Sequence, residues 1–190
     1  MLEHDKADRA QALSGKKTSV HIPDERLIHA GRGYVLFRLK ACVRPLRFRL
    51  TGEAIQTIDL PWPAMVLLAR NKEGQRSLRA FALASNQRPH AGTDLYHAPL
   101  LNIDSRGVVS VAAMDLPSGV KERHIDAWAE VLTQCIFTHN ANPFALDLGR
   151  HPVATYTHIH ALKKLSQRGL KQFPKSWLKP YGTPLGALHV

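Results

Sequence analysis

Residues 64–84, AMVLLARNKEGQRSLRAFALA, decide the fold class. Two apolar runs, 64–69 and 77–84, flank the polar segment 71–75, which supplies the Asn and Gly that a tight hairpin turn needs. The stretch therefore predicts an antiparallel hairpin, and the sequence on either side adds strands before it and helices after it.

Two further strands are predicted upstream of this hairpin. Apolar and basic residues alternate over 34–40 (YVLFRLK) and 46–50 (LRFRL), which is typical of strands with one basic outer face. Pro45 has no backbone N–H, so we expect it to break one strand or to lie at a sheet edge. The whole segment 26–49 is rich in Lys and Arg and contains no acidic residue.

Downstream, residues 94–101 are predicted to be extended although they contain Pro99. The sequence Asp104-Ser105-Arg106-Gly107 has the composition of a tight turn, which places Ser110 just beyond it and partly exposed. Ser118 can cap a helix whose apolar positions recur from Val120 through Cys135 to Ile136 and which ends at 140–143. A second helix is predicted over 155–170, followed by a tail punctuated by prolines.

Composition limits the classes of function. The chain has 190 residues, a formal net charge of +11 and a pI near 10.1, and residues 148–190 again contain no acid. Such a surface attracts an acidic partner, which includes nucleic acid, anionic lipid or an acidic protein. We expect a mobile polar leader over 1–18, one domain over 19–150, and a basic C-terminal helix and tail over 151–190.

Several chemistries have no local support. The two cysteines form no CxxC pair, and no signal peptide or membrane-spanning run is present, so we expect a reduced cytoplasmic protein. No glycine-rich nucleotide loop or GxSxG motif occurs, and no cofactor is expected. His158-Ile-His160, with His139 and His151, is the best metal candidate, but we expect solvated helix histidines and no metal.

Residues 95–111, LYHAPLLNIDSRGVVSV, resemble the active-site segment of ubiquitin-conjugating enzymes, in which a His-Pro-Asn element leads through a turn to the thioester-forming cysteine. The spacing from that asparagine to that cysteine matches the spacing from Asn102 to Ser110. A closer resemblance is to the prokaryotic ubiquitin-conjugating-like family D, the family of the B proteins of PRTRC systems. It covers about residues 50–151, with a looser similarity at Phe173-Pro174 and Gly182-Thr183. It is carried by these segments: Pro61-Trp62-Pro63-Ala64, Phe81-Ala82-Leu83, Arg88-Pro89, Leu95-Tyr96-His97-Ala98-Pro99, Asn102, Gly107, Trp128 and Phe137-Thr138-His139.

The resemblance implies an α+β, ubiquitin-conjugating-enzyme-like (UBC-like) fold, an antiparallel β-meander with flanking helices. It also implies that Ser110 occupies the nucleophile position and that Asn102 holds an oxyanion. His97 and His139 are candidate bases for Ser110, although structural hydrogen bonding in a loop and at a helix end is the favoured role for both histidines. A serine hydroxyl needs such a base, whereas a thiol does not, so we expect a pseudoenzyme or adaptor without thioester catalysis. Cys135 is a possible displaced nucleophile, although its place on an apolar helix face favours core packing.

The partners implied by the resemblance are a ThiF-like activating protein, a ubiquitin-like modifier, a JAB-type protease and a ParB-like protein of a bacterial plasmid or mobile element. Two alternatives stay open. One is a basic nucleic-acid-associated plasmid protein that uses the same fold as a scaffold and binds DNA through its basic face. The other is an active conjugating enzyme that uses Ser110 or Cys135.

Overall fold

The computed structural model describes residues 22–111, 114–149 and 152–189, so the leader predicted over 1–18 lies outside the described residues. Within them the chain forms two α-helices, α1 (Ile125–Thr133) and α2 (Thr155–Gln167), and nine strands. The strands are β1 (Leu27–Gly31), β2 (Tyr34–Leu39), β3 (Cys42–Phe48), β4 (Gln56–Trp62), β5 (Ala64–Lys72), β6 (Gln75–Leu83), β7 (Asp94–His97), β8 (Ile136–Phe137) and β9 (Pro180–Pro184).

The strands form two sheets. The larger has the order β1-β2-β5-β6-β7-β9 with every neighbouring pair antiparallel. The smaller has the order β4-β3-β8, in which β8 runs parallel to β3. The predicted α+β, UBC-like architecture with an antiparallel meander is confirmed.

The two sheets share one long hairpin that bends at Pro63. Leu39 lies opposite Met65 in the larger sheet, and Cys42 lies opposite Trp62 in the smaller one. The pairing register is therefore continuous across the break, because each step along one strand is matched by one step back along the other. Proline cannot donate to a ladder, which accounts for the interruption at this position.

The hairpin predicted at 64–84 is confirmed as β5 and β6. Lys72 pairs with Gln75, leaving Glu73 and Gly74 as a two-residue turn with φ values of 53° and 84°. Two left-handed central residues define the type I′ turn that matches the twist of paired strands. Pro45 stays inside β3, on a stretch where β8 does not reach, in agreement with an edge position.

The larger sheet buries both faces. Alternate residues of β2, β5 and β6, such as Phe37 and Leu67, enter the main core with Trp128 of α1 and Leu162 of α2. Apolar residues on the opposite face of these strands, such as Leu68 and Phe81, form a smaller cluster closed by Leu185 and Leu188. The basic C-terminal segment belongs to the same fold, since β9 pairs with β7 and α2 packs against β4.

The prediction of a helix that Ser118 caps and that ends at 140–143 was wrong at both ends. A short 3-10 helix, Glu122–His124, leads into α1, which begins at Ile125 and ends at Thr133. Ile136 instead lies in β8 and pairs with Arg47 of β3, because the smaller sheet offers backbone partners that a longer helix would leave unused. None of the helices in the described residues is long and apolar enough to span a membrane.

Candidate functional site

The loop that leaves β7 is tied to the segment that follows β8 through the backbone of Asn102. The Asn102 N–H donates to the His139 carbonyl at 2.8 Å, and the Asn102 carbonyl accepts from the Ser110 N–H at 2.7 Å. Asn102 has a φ of 57°, a left-handed conformation that Asn adopts more readily than most residues. This one residue therefore fixes both the start and the end of the loop that carries Ser110.

The Asn102 side chain is also fully occupied. Its Oδ1 accepts from Thr138 N at 2.9 Å, Thr138 Oγ1 at 3.1 Å and His139 N at 3.2 Å. Its Nδ2 donates to the Ile136 carbonyl at 3.2 Å and lies 3.7 Å from Cys135 Sγ. A carboxamide has two donor hydrogens and two acceptor lone pairs, so none is left for an oxyanion. Asn102, 5% exposed, is a structural tie in this conformation.

The tight turn predicted before Ser110 is confirmed. The Gly107 N–H donates to the Asp104 carbonyl at 2.9 Å, and Asp104 Oδ1 accepts from the N–H groups of Arg106 and Val108. Gly107 has a φ of 82°, and a Cβ there would lie 2.7 Å from the Phe81 ring. Both constraints require glycine at this position.

Ser110 is exposed, and its place just after the turn is as predicted. Among the described residues, neither His97 nor His139 is hydrogen-bonded to its hydroxyl, and no other partner is found for Oγ. A serine becomes a strong nucleophile only when a neighbouring base accepts its proton. The described residues therefore place a hydroxyl at this position without a base hydrogen-bonded to it.

His97, the last residue of β7, is half-buried and is held in one tautomer. Asn142 Oδ1 accepts the Phe144 N–H at 3.0 Å, which turns Asn142 Nδ2 toward His97 Nδ1 at 3.1 Å. Because Nδ1 accepts that hydrogen bond, the ring proton is on Nε2. Burial and the Lys179 charge lower the pKa of His97, so the ring stays neutral at pH 7. The Tyr181 ring packs edge-on against it at 5.3 Å.

His139 is exposed and lies beside the Asn102 tie. Its backbone N–H and carbonyl both bond to Asn102, while its Nδ1 lies 3.0 Å from Thr138 Oγ1. Asn102, Ser110 and His139 are thus joined by backbone hydrogen bonds. His97 instead contacts Asn142 and Tyr181.

Cys135 lies just after α1 and is only 3% exposed, so the predicted core packing fits its position. Burial raises the pKa of its thiol, with the Asn102 hydrogen bond as a smaller opposing effect. The thiolate is the reactive form of cysteine. In this conformation Cys135 is therefore a protonated, shielded thiol.

His158 and His160 of α2 point to different environments. His160 is exposed as expected, but the expectation that His158 is solvated was wrong, because its side chain is fully buried. His158 Nε2 lies 3.2 Å from the Pro99 carbonyl, and burial lowers the pKa of the ring to about 4. The neutral ring donates to Pro99 and so attaches the Ser110 loop to α2. No metal-binding group of three or more His, Cys, Asp or Glu occurs among the described residues, and His151 lies outside them.

Sequence reasoning missed several residues that support the site. Asn142, Tyr181 and Thr138 hold His97 and Asn102, and each reaches its partner from more than thirty residues away. The only local signal is the Asn-Pro pair at Asn142 and Pro143, which is typical of loops but does not name a contact.

The sequence and structure were compared with curated proteins, solved structures and protein-family models. No curated protein and no solved structure matches the chain significantly. A family model described as prokaryotic E2 family D, where E2 denotes ubiquitin-conjugating enzymes, matches residues 5–181. That match spans strands β1 to β8, the Ser110 loop, both α-helices and the start of β9. The chain therefore belongs to prokaryotic E2 family D.

Proposed function

We propose that this E2-like protein acts as an adaptor in a ubiquitin-like modifier pathway of a bacterial PRTRC-type plasmid or mobile element, without forming a thioester. The adaptor binds a modifier or its activating protein and presents it to other members of the pathway. The partner classes are a ThiF-like activating protein, a ubiquitin-like modifier and, further along, a JAB-type protease and a ParB-like protein.

The observation that carries this proposal is the saturated carboxamide of Asn102. All of its hydrogen-bonding capacity is directed at residues 135–139, so it stabilises the loop and does not face a reacting carbonyl. Ser110 has no base bonded to it among the described residues, and the nearby thiol of Cys135 is buried. Of the three groups that conjugation chemistry would use, Asn102 and Cys135 are thus held in the packed domain, and Ser110 is exposed without an activating base.

The test is incubation of the wild-type protein with its cognate activating protein, ubiquitin-like modifier and ATP, followed by intact mass measurement. The adaptor proposal expects a non-covalent complex by gel filtration and no added mass. An adduct that survives reductant, is cleaved by hydroxylamine and is lost in Ser110→Ala would instead support an active enzyme that forms an oxyester at Ser110. A reductant-sensitive adduct lost in Cys135→Ala would support the displaced thiol.

A second candidate function, nucleic-acid binding, is favoured by the net charge of +11 and by the acid-free segments 26–49 and 148–190. Neutralisation of phosphates by Lys and Arg releases counterions and supplies sequence-independent affinity. On this alternative the E2-like fold is a scaffold for the basic face. The salt dependence of binding, described below, separates it from the adaptor.

A further inference from the structure

Two open cavities adjoin each other beside the bend of the long hairpin. Their volumes are about 380 and 230 Å³, and they share the residues 83–85 and Lys175. The two adjoining cavities, which share these lining residues, are together called the C-terminal groove below. Its principal lining residues are Pro63, Ala64, Leu83, Arg88, Lys171 and Lys175.

The floor of the C-terminal groove is formed by buried apolar residues of the first cavity. Pro63 and Ala64 lie where the hairpin turns from one sheet into the other, and Leu83 ends β6 beside them. Phe173 and Leu178 close the floor from the C-terminal side. The groove is thus a product of the bend, since it opens at the point where the two sheets diverge.

One wall, formed by residues 84–90, is held by side-chain bonds to the backbone. Asn86 Oδ1 accepts the Ala41 N–H at 2.6 Å, and the Arg88 guanidinium donates to the carbonyls of Glu25 and Leu27. These contacts fix an otherwise exposed connection between β6 and β7.

The other wall, formed by residues 171–178, is held by backbone hydrogen bonds and a ring contact. Trp177 N–H donates to the Pro174 carbonyl at 3.0 Å, and the Trp177 carbonyl accepts from Asp147 N–H at 3.0 Å. The Phe173 and Trp177 rings pack edge to face. Two pre-formed walls reduce the ordering cost of binding a ligand between them.

The charge of the C-terminal groove is strongly one-sided. Lys171, Lys175 and Arg88 line it, against Asp94 as the one acidic residue of the lining. In the described part of the chain neither lysine has an ion-pair partner. Arg88 is bonded to neutral carbonyls and keeps its charge uncompensated. Cations without partners beside an apolar floor favour an occupant that carries both acidic and apolar side chains.

We propose that the C-terminal groove binds an extended, acidic peptide segment of a partner protein. We assign that partner to the modifier pathway, and only this assignment rests on the proposed adaptor function. A single-stranded nucleic acid fits less well on charge, although the rings of Tyr96 and His90 in the lining are accessible for stacking. A peptide can also leave the position beside Asp94 uncharged, whereas a nucleic acid carries a phosphate at every residue.

The test uses a fluorescein-labelled dodecapeptide of alternating Leu and Asp, measured by fluorescence anisotropy on the full chain. The same peptide with Lys in place of Asp is the charge control. We expect the acidic peptide to bind and the basic one not to bind. The double variant Lys171→Glu, Lys175→Glu should weaken binding about tenfold or more. Lys72→Glu, at the distant β5–β6 turn, should change it less than about twofold.

A steric variant tests the groove without changing charge. Ala84 is exposed and lines both cavities, so Ala84→Trp should block binding while leaving the melting temperature within a few degrees of wild type. No binding of the acidic peptide to wild type, or equal losses in the Lys72 and groove variants, would overturn the proposal. So would tighter binding of an oligothymidylate that competes with the peptide. Because neither modifier nor activating protein is present, failure here is distinct from failure of the adaptor function.

Discussion

Asn102 Nδ2 lies 3.7 Å from Cys135 Sγ, so the asparagine that fixes the Ser110 loop also covers the buried thiol. The same carboxamide bonds to the Ile136 carbonyl and to the N–H groups of Thr138 and His139. One side chain therefore couples three properties: the stability of the domain, the conformation of the loop and the accessibility of Cys135.

Asn102→Ala should lower the free energy of unfolding by about 2–3 kcal/mol, because it leaves buried backbone groups of residues 136–139 without partners. Urea denaturation followed by circular dichroism measures this. Asn71→Ala removes a single exposed hydrogen bond to the Ser118 carbonyl and should cost no more than about 1 kcal/mol. Asn102→Gly should be milder than Asn102→Ala, since glycine relieves the left-handed backbone. Unchanged stability of both Asn102 variants would contradict the structural role.

The two thiols should differ in reactivity. Cys42 is half-exposed and should react with iodoacetamide in the native protein, whereas Cys135 should react only on unfolding, because burial raises its pKa and blocks access. Intact mass measurement over time counts the adducts. In a Cys42→Ser background, Asn102→Ala should accelerate alkylation of Cys135. Equal rates for the two cysteines of wild type would show that Cys135 is open to solvent.

Stability should fall on mild acidification because of His158. Its pKa is about 4 in the folded protein and near 6.5 when exposed, so between these values the unfolded chain binds a proton that the folded chain does not. The free energy of unfolding should therefore be unaffected by this residue above pH 6.5 and should decrease by roughly 3 kcal/mol as the pH falls toward 4. His97, whose pKa is also lowered, contributes with the same sign.

His158→Gln isolates this contribution, since a glutamine amide can still donate to the Pro99 carbonyl but does not titrate. The variant should show a flatter dependence of the free energy of unfolding on pH between 6.5 and 4, measured by urea denaturation at each pH. His160→Gln, on the exposed face of α2, should retain the wild-type dependence. A His158→Gln profile with the wild-type slope would contradict the buried, neutral ring.

Ser110→Cys should convert an unloaded protein into one that can accept a modifier. The introduced thiolate attacks the thioester carbonyl of the charged activating protein, the activating thiol leaves, and a new thioester of nearly equal energy forms. We expect a reductant-sensitive mass increase in Ser110→Cys and none in wild type. Val108→Cys, on the same loop, is the matched control. Loading of wild type at a comparable rate would contradict the adaptor proposal.

If the basic segments bind DNA, affinity should fall steeply with salt, by about 0.9 logarithmic units per neutralised phosphate for each tenfold rise in salt. Anisotropy titrations of a labelled duplex at several salt concentrations give the slope. Charge reversal at Lys164 and Arg168, both exposed at the end of α2, should reduce the slope if this face contacts the backbone. No binding at low ionic strength would exclude the nucleic-acid alternative.

The meander could be read from the sequence because its signals are local. The turn at Glu73 and Gly74, the alternation along β2 and the apolar runs of β5 and β6 specify neighbouring strands without reference to the rest of the chain. The end of α1 could not be read in this way. Cys135 and Ile136 continue the helical period, but pairing with β3 and the bonds from Asn102 draw them out of the helix.

The candidate site was only partly predictable for the same reason. Resemblance to conjugating enzymes indicated Asn102, Ser110 and His97, but their present roles depend on partners far away in the sequence. The saturation of Asn102 needs residues 135–139, and the tautomer of His97 needs Asn142. The burial of His158 follows from the packing of α2 against β4, which helical periodicity alone does not specify.

The unbroken register across Pro63 has a consequence for how the chain folds. Closure of the connection over residues 49–55 allows β3 to pair with β4. Pairing in the same register then extends to β2 and β5 without a second loop closure. The two sheets are thus joined at the entropic cost of closing one short, local loop. We expect both sheets to gain amide protection together in pulsed hydrogen exchange, as a single cooperative unit.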